Sequence, residues 1–153
     1  MGAYWTISSR ATRVDYGFGI RHGRREGLLT QDCALTCRDA RQDLAVLQVS
    51  GKGLPFVSIV DPATVAIGQE VVAIGNPQGF ANTVSDGIVS GKLPITGADK
   101  YKFVFSAPIS PGSSGGGLFD REGRLIAITI ASRRNAQNLN IATPASYADL
   151  EQM

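Results

Sequence analysis

The chain has 153 residues, 43% of them hydrophobic and 18% charged, with a formal net charge of +2. That balance belongs to folded globular chains, and it excludes a disordered segment and a strongly basic partner for nucleic acid or membrane surfaces. No apolar run approaches the roughly 18 residues of a membrane span, and the opening residues MGAYWTISSR lack the basic-then-apolar order of a signal peptide.

In chain order, strand signals dominate. TRVDYGFG, GLLTQDCALTC and LAVLQV come first, separated by the turn-rich stretches RHGRREG and RDARQD. LPFVSIVDPATVAIG then crosses to a second group: QEVVAIG, TVSDGIVSG, KFVFSA, GGGLFD, LIAITIA and LNIATP. Many short strands with Gly, Pro, Asn and Asp turns predict an all-β barrel or sandwich, and closure would hide their edges. Pro144 followed by ASYADLEQM predicts a short C-terminal helix. The arginines of RHGRR and SRRN fall in turns and are expected to be solvated.

Cys33 and Cys37 share the segment DCALTCRD. On one strand they lie four positions apart on one face, roughly 13 Å at about 3.3 Å per residue, too far for a disulfide. Free thiols are expected. With a single histidine and no third cysteine, no metal site and no cofactor are expected.

The segment that asks for an explanation is PGSSGGG, residues 111 to 117. A Gly/Ser run can be a flexible linker, but this one lies between two apolar strand segments and is expected to shape backbone inside a domain. Glycine serves where φ must be positive or where another group approaches the main chain closely. A nucleophilic serine needs both, an exposed hydroxyl on a sharp turn and free amides aimed at the oxyanion it creates. The spacing nominates Ser114 as nucleophile, with the Gly112 and Ser114 amides as donors.

Four segments in order, RDARQDLAVLQV, GQEVVAIGNPQGFANTVSDGIVSG, SAPISPGSSGGGLFDREGRLIAI and LNIATPAS, resemble the protease domain of the HtrA (Deg) family within the chymotrypsin-like serine peptidases. The resemblance covers roughly residues 27 to 150. It implies two β-barrels with the active site between them: a partial N-terminal barrel over residues 1–60 and a complete six-stranded one, with the terminal helix, over 61–153. It also implies endopeptidase action on unfolded or extended polypeptide through an acyl-enzyme.

Residue by residue, the resemblance makes Ser114 the catalytic serine, Gly112, Ser113 and Ser114 the oxyanion loop, and Asp43 the aspartate that orients the histidine. Ile109 falls at the base of the primary specificity pocket, where an apolar residue suits small or medium aliphatic side chains; plain core packing is the alternative. Ile128, Thr129, Ile130, Ala131 and Ser132 would wall the pocket and pair with extended substrate as an added strand.

The family's histidine precedes the aspartate by roughly thirty residues or more, and AYWTISSRATRV contains none. The single histidine, His22, stands at what reads as a hairpin tip and is a poor candidate for the base. Two expectations follow: a fragment that has lost the strands bearing the base, or a natural pseudo-protease that binds extended peptides or partner proteins. Either leaves the first barrel open, so its edge should be covered by a partner, by a second copy, or by residues 3 to 9 folding back. Family resemblance also implies export to the periplasm, trimers and a following peptide-binding domain.

Overall fold

The computed structural model describes residues 3–7, 33–49, 56–75, 83–132 and 139–147. His22, the expected strand TRVDYGFG and the helix beyond residue 147 lie outside them.

Three strands form a small antiparallel sheet: β1 (Ala3–Ile7), β2 (Cys33–Asp39) and β3 (Leu44–Val49), in the order β1-β3-β2. β3 is central, paired from Ala3↔Val49 to Ile7↔Ala45 on one side. β1 lies within residues 3 to 9, so the expected fold-back covers one edge of β3.

β2 bulges between Leu35 and Cys37, so that Cys33 pairs with Val49 and Cys37 with Val46. A bulge inserts one extra residue into a strand and breaks its two-residue alternation. The two cysteines are therefore three ladder positions apart along β3 rather than the four of an unbroken strand.

Six strands then close on themselves: β4 (Glu70–Gly75), β5 (Thr83–Pro94), β6 (Tyr101–Phe105), β7 (Gly117–Phe119), β8 (Leu125–Ser132) and β9 (Asn140–Pro144). The order around the barrel is β4-β5-β6-β9-β8-β7, every pair antiparallel. Alternation along the strands sends Val71 and Ala73, Val89, Phe103 and Phe105, Leu118, Ile126 and Ala142 into one buried cluster. Phe103 and Phe105 are fully buried. Each large apolar side chain removed from water in this way stabilises the fold by about 1.5–3 kcal/mol.

The crossing segment carries a 3-10 turn at Pro62–Thr64, capped by the Asp61 carboxylate on the Ala63 N–H at 2.9 Å. Before it, the Leu125 N–H donates to Ser58 O at 2.8 Å and the Val60 N–H to Leu125 O at 2.9 Å, a parallel bridge that sews the connector onto the start of β8. A second 3-10 turn, Ala145–Tyr147, stands where the terminal helix was expected to begin. Among the described residues no helix is long and apolar enough to cross a membrane.

Candidate active site

The glycine-rich stretch is two tight turns in tandem. The Ser113 N–H donates to Ser110 O at 3.0 Å, and the Gly116 N–H donates to Ser113 O at 2.9 Å. Each closes a four-residue turn whose third residue has positive φ, Gly112 at 99° and Gly115 at 90°. That is what a type II turn demands of its third position, and Pro111 supplies the fixed φ favoured at the second. Ser114 is the second residue of the second turn, at its outer corner, and is exposed while Ser113 beside it is buried. Glycine is needed twice for φ and once for space. A Cβ on Gly116 would stand 2.5 Å from Ile74 O, so the turn lies directly on the end of β4.

Of the three residues expected to form the oxyanion loop, Ser113 has its N–H taken up by Ser110 O. No hydrogen bond among the described residues occupies the amides of Gly112 or Ser114. The Ser114 hydroxyl donates to Ile130 O at 3.1 Å. A neutral bond of this kind contributes a net of about 1 kcal/mol, so the rotamer is easily exchanged.

Ser114 lies against β8 because that strand outruns its neighbour. β7 pairs with β8 only as far as Gly117↔Ile128, whereas β9 continues along the other side to Ser132↔Asn140. Beyond Ile128 the β7 side meets only the tandem turn: the Gly115 N–H on Thr129 O at 2.7 Å, and Ser114 on Ile130 O. Thr129 is buried; Ile130 is partly exposed.

Ile109 packs on the barrel core and also lines a cavity of about 30 Å³ with Gly75, Ser85, Pro108, Ser113 and Thr129. Core packing, the alternative weighed from the sequence for Ile109, is present. The Ser85 hydroxyl donates to Pro108 O at 2.6 Å and ties this segment to β5. Asn140 on β9, itself buried, donates its amide to Ala107 O at 2.7 Å, steadying the same segment from the other side.

Asp43 closes the β2–β3 hairpin with φ of 57°. Aspartate is among the few non-glycine residues found in this left-handed region. The Asp39 carboxylate accepts from the Arg41 N–H at 2.8 Å and the Gln42 N–H at 3.1 Å, which sets the turn. The next residue back fixes its place against the barrel: the Thr143 hydroxyl on β9 donates to Gln42 O at 2.8 Å, inside the protein. Thr143 pairs across the ladder with Ile128, the residue before Thr129, and the Thr129 hydroxyl donates to Ser113 O at 2.6 Å. One two-strand ladder, β8 and β9, therefore holds both the Asp43 turn and the Ser114 turn.

Thr143 and Gln42 were not legible as site residues. A threonine in a strand pattern reads as a strand former, and its hydroxyl acquires a role only when the remote carbonyl is known. Among the described residues no three His, Cys, Asp or Glu side chains converge on a common point.

The family model described as a trypsin-like peptidase domain matches residues 17–128. A probable periplasmic serine endoprotease DegP-like of Pseudomonas putida (strain GB-1) is 42% identical over 92 residues, 59% of this chain and 19% of the relative. The putative serine protease HhoB of Synechocystis sp. is 37% identical over 116 residues, 72% of this chain and 28% of the relative. The chain thus spans about a fifth to a quarter of the length of these relatives. Among solved structures, the HtrA-type protease AlgW with a decapeptide superposes with a TM-score of 0.69 at 32% identity, over 76% of this chain and 38% of that one. The serine endoprotease of Yersinia pestis does so with 0.68 at 33% identity, over 77% and 42%. With the barrel, the tandem turn and the order of segments all in agreement, the chain belongs to the trypsin-like peptidase family, as part of an HtrA-type serine protease domain.

Proposed function

We propose that this chain is the nucleophile-bearing part of an HtrA-type serine endopeptidase acting on extended polypeptide, with residues 1–60 and 61–153 as its two lobes. The observation that carries the reading is the exposed Ser114 at a turn corner, with the unoccupied amides of Gly112 and Ser114 beside it. Ser114 Oγ attacks the scissile carbonyl carbon and its proton passes to a general base. The C–N bond then breaks, the proton goes to the leaving amine, and water releases the acyl group. The two amides stabilise the oxyanion, and Ile109 favours an aliphatic side chain. Asp43 orients an imidazole.

The side of β8 past the tandem turn, at Ala131 and Ser132, supports a peptide ligand, because main-chain groups there can take an added strand. The AlgW structure, which carries a decapeptide, supports the same reading. His22 is the chain's single histidine and is not assigned the role of base, so the 153-residue form hydrolyses slowly. Loss of the histidine of a catalytic triad lowers the rate by on the order of a million-fold.

A second reading is a silent peptide-binding module. The bond from Ser114 Oγ to Ile130 O favours it, because a hydroxyl resting on a carbonyl is not poised on a base.

The two separate by labelling with a fluorophosphonate, read by intact mass, on the wild-type chain and Ser114→Ala. Stoichiometric labelling of the wild type alone supports an activated Ser114. An unlabelled, folded wild type that still binds an extended aliphatic peptide supports the silent module.

A further inference from the structure

We infer that Thr129 is a positioning residue whose hydroxyl aims the Ser114 amide. The inference rests on the reading of Ser114 as nucleophile, but its geometry can be tested independently.

The Ser113 carbonyl and the Ser114 N–H belong to one peptide group. In a planar trans peptide they point in opposite directions, so whatever fixes the oxygen fixes the hydrogen, and no cis peptide occurs among the described residues. Two donors hold that oxygen: the Gly116 N–H at 2.9 Å, which closes the turn, and the Thr129 hydroxyl at 2.6 Å. The hydroxyl comes from a different strand. Thr129 is almost completely buried, at 1% exposure, so no water competes for its proton.

Its backbone is pinned as well. The Thr129 N–H donates to Gly116 O at 2.9 Å, and Thr129 O accepts from the Gly115 N–H at 2.7 Å. The hydroxyl lies 3.1 Å from Gly116 O, a longer second acceptor for the same proton. The side chain therefore sits in a fixed place, and the carbonyl it grips has its back to the solvent-facing amide. A strand threonine converts the rigidity of the barrel into the direction of one N–H.

The hydroxyl is separable from the fold. Thr129→Val keeps the shape and removes the donor; Thr129→Ser keeps the donor and removes the methyl. On the isotope-labelled full chain, the residual dipolar coupling of the Ser114 amide reports the direction of that bond directly. The expected result is a changed Ser114 coupling in Thr129→Val, a wild-type value in Thr129→Ser, and unchanged couplings in β4, β5 and β6 in both. Thr129→Ala serves as the donor-free variant should the valine form fail to fold. An unchanged Ser114 coupling in a folded donor-free variant overturns the inference, as does a serine variant that behaves like the valine one.

Fluorophosphonate labelling gives the second readout: about tenfold or more slower in Thr129→Val, since misaiming one oxyanion donor weakens what its complete removal would lose. A wild type that does not label defeats the nucleophile reading alone, because the couplings still decide whether Thr129 sets the amide.

Discussion

Thr143 and Gln42, 101 residues apart in sequence, are joined by a buried hydrogen bond of 2.8 Å from hydroxyl to carbonyl. The bond ties the turn that carries Asp43 to the barrel strand beside β8. Thr143→Val should leave the Gln42 carbonyl without this donor and lower stability by about 1–3 kcal/mol, whereas Thr143→Ser should keep most of it. Urea unfolding of the two variants checks the difference.

The same glutamine has a side-chain oxygen that finds no partner among the described residues while the residue is 3% exposed. A buried acceptor without a donor is unfavourable, and replacing it with an apolar group of similar shape removes the penalty. Gln42→Met should therefore leave the unfolding midpoint unchanged or raise it. A loss greater than about 1 kcal/mol would mean that the oxygen has a donor after all.

Asp120, just past β7, is 3% exposed; its carboxylate accepts from the Arg124 side chain at 2.7 Å, the Arg124 N–H at 2.8 Å and the Glu122 N–H at 3.1 Å. Burial pushes its pKa up, but the Arg124 main chain, guanidinium and charge together with the Glu122 N–H outweigh it, and the carboxyl lies below its ordinary value of 3.8. A depressed folded value means stability present above the unfolded pKa and lost as the pH falls through the folded one. Thermal scans should show a wild-type melting temperature that declines as the pH drops below about 4, with a shallower decline in Asp120→Asn.

Gly116→Ala would put a methyl 2.5 Å from Ile74 O, which is main chain and has little room to retreat. The Ser114 turn should lift away from β4. The expected outcome is loss of fluorophosphonate reactivity and of extended-peptide binding, with the far-UV circular dichroism of the barrel retained. Wild-type binding in this variant would show that the close packing of turn on strand is dispensable.

Most of the barrel could be read from the chain because its turns are marked by Gly, Pro, Asn and Asp, and because QEVVAIG and LIAITIA fall almost directly onto β4 and β8, while TVSDGIVSG gives the start of β5, which runs on to Pro94. Ser114 was legible because a tandem turn must write its glycines into the sequence. β1 was foreseen only as a fold-back of residues 3 to 9: five residues are too few for a periodic signal, and their pairing with β3 is a tertiary fact. The bulge in β2 left no mark, since any residue can occupy such a position. Thr129 was assigned to the pocket wall from the family resemblance, while its grip on Ser113 depends on a fold that brings positions 113 and 129 together.

The closed order of the barrel also governs how quickly it can form. β4 opens the group in sequence yet needs β7 as well as β5 beside it, so Val72 must wait for Phe119 before its second ladder exists. Pairings so remote along the chain must overcome loop-closure entropy before they contribute stability, and folds dominated by them assemble in roughly milliseconds to seconds. During that interval β4 and β6, waiting for β7 and β9, each present an unsatisfied edge. The ring that later shields its strands is thus the last thing the chain completes, and a nascent polypeptide has most need of protection between the emergence of β4 and that of β9.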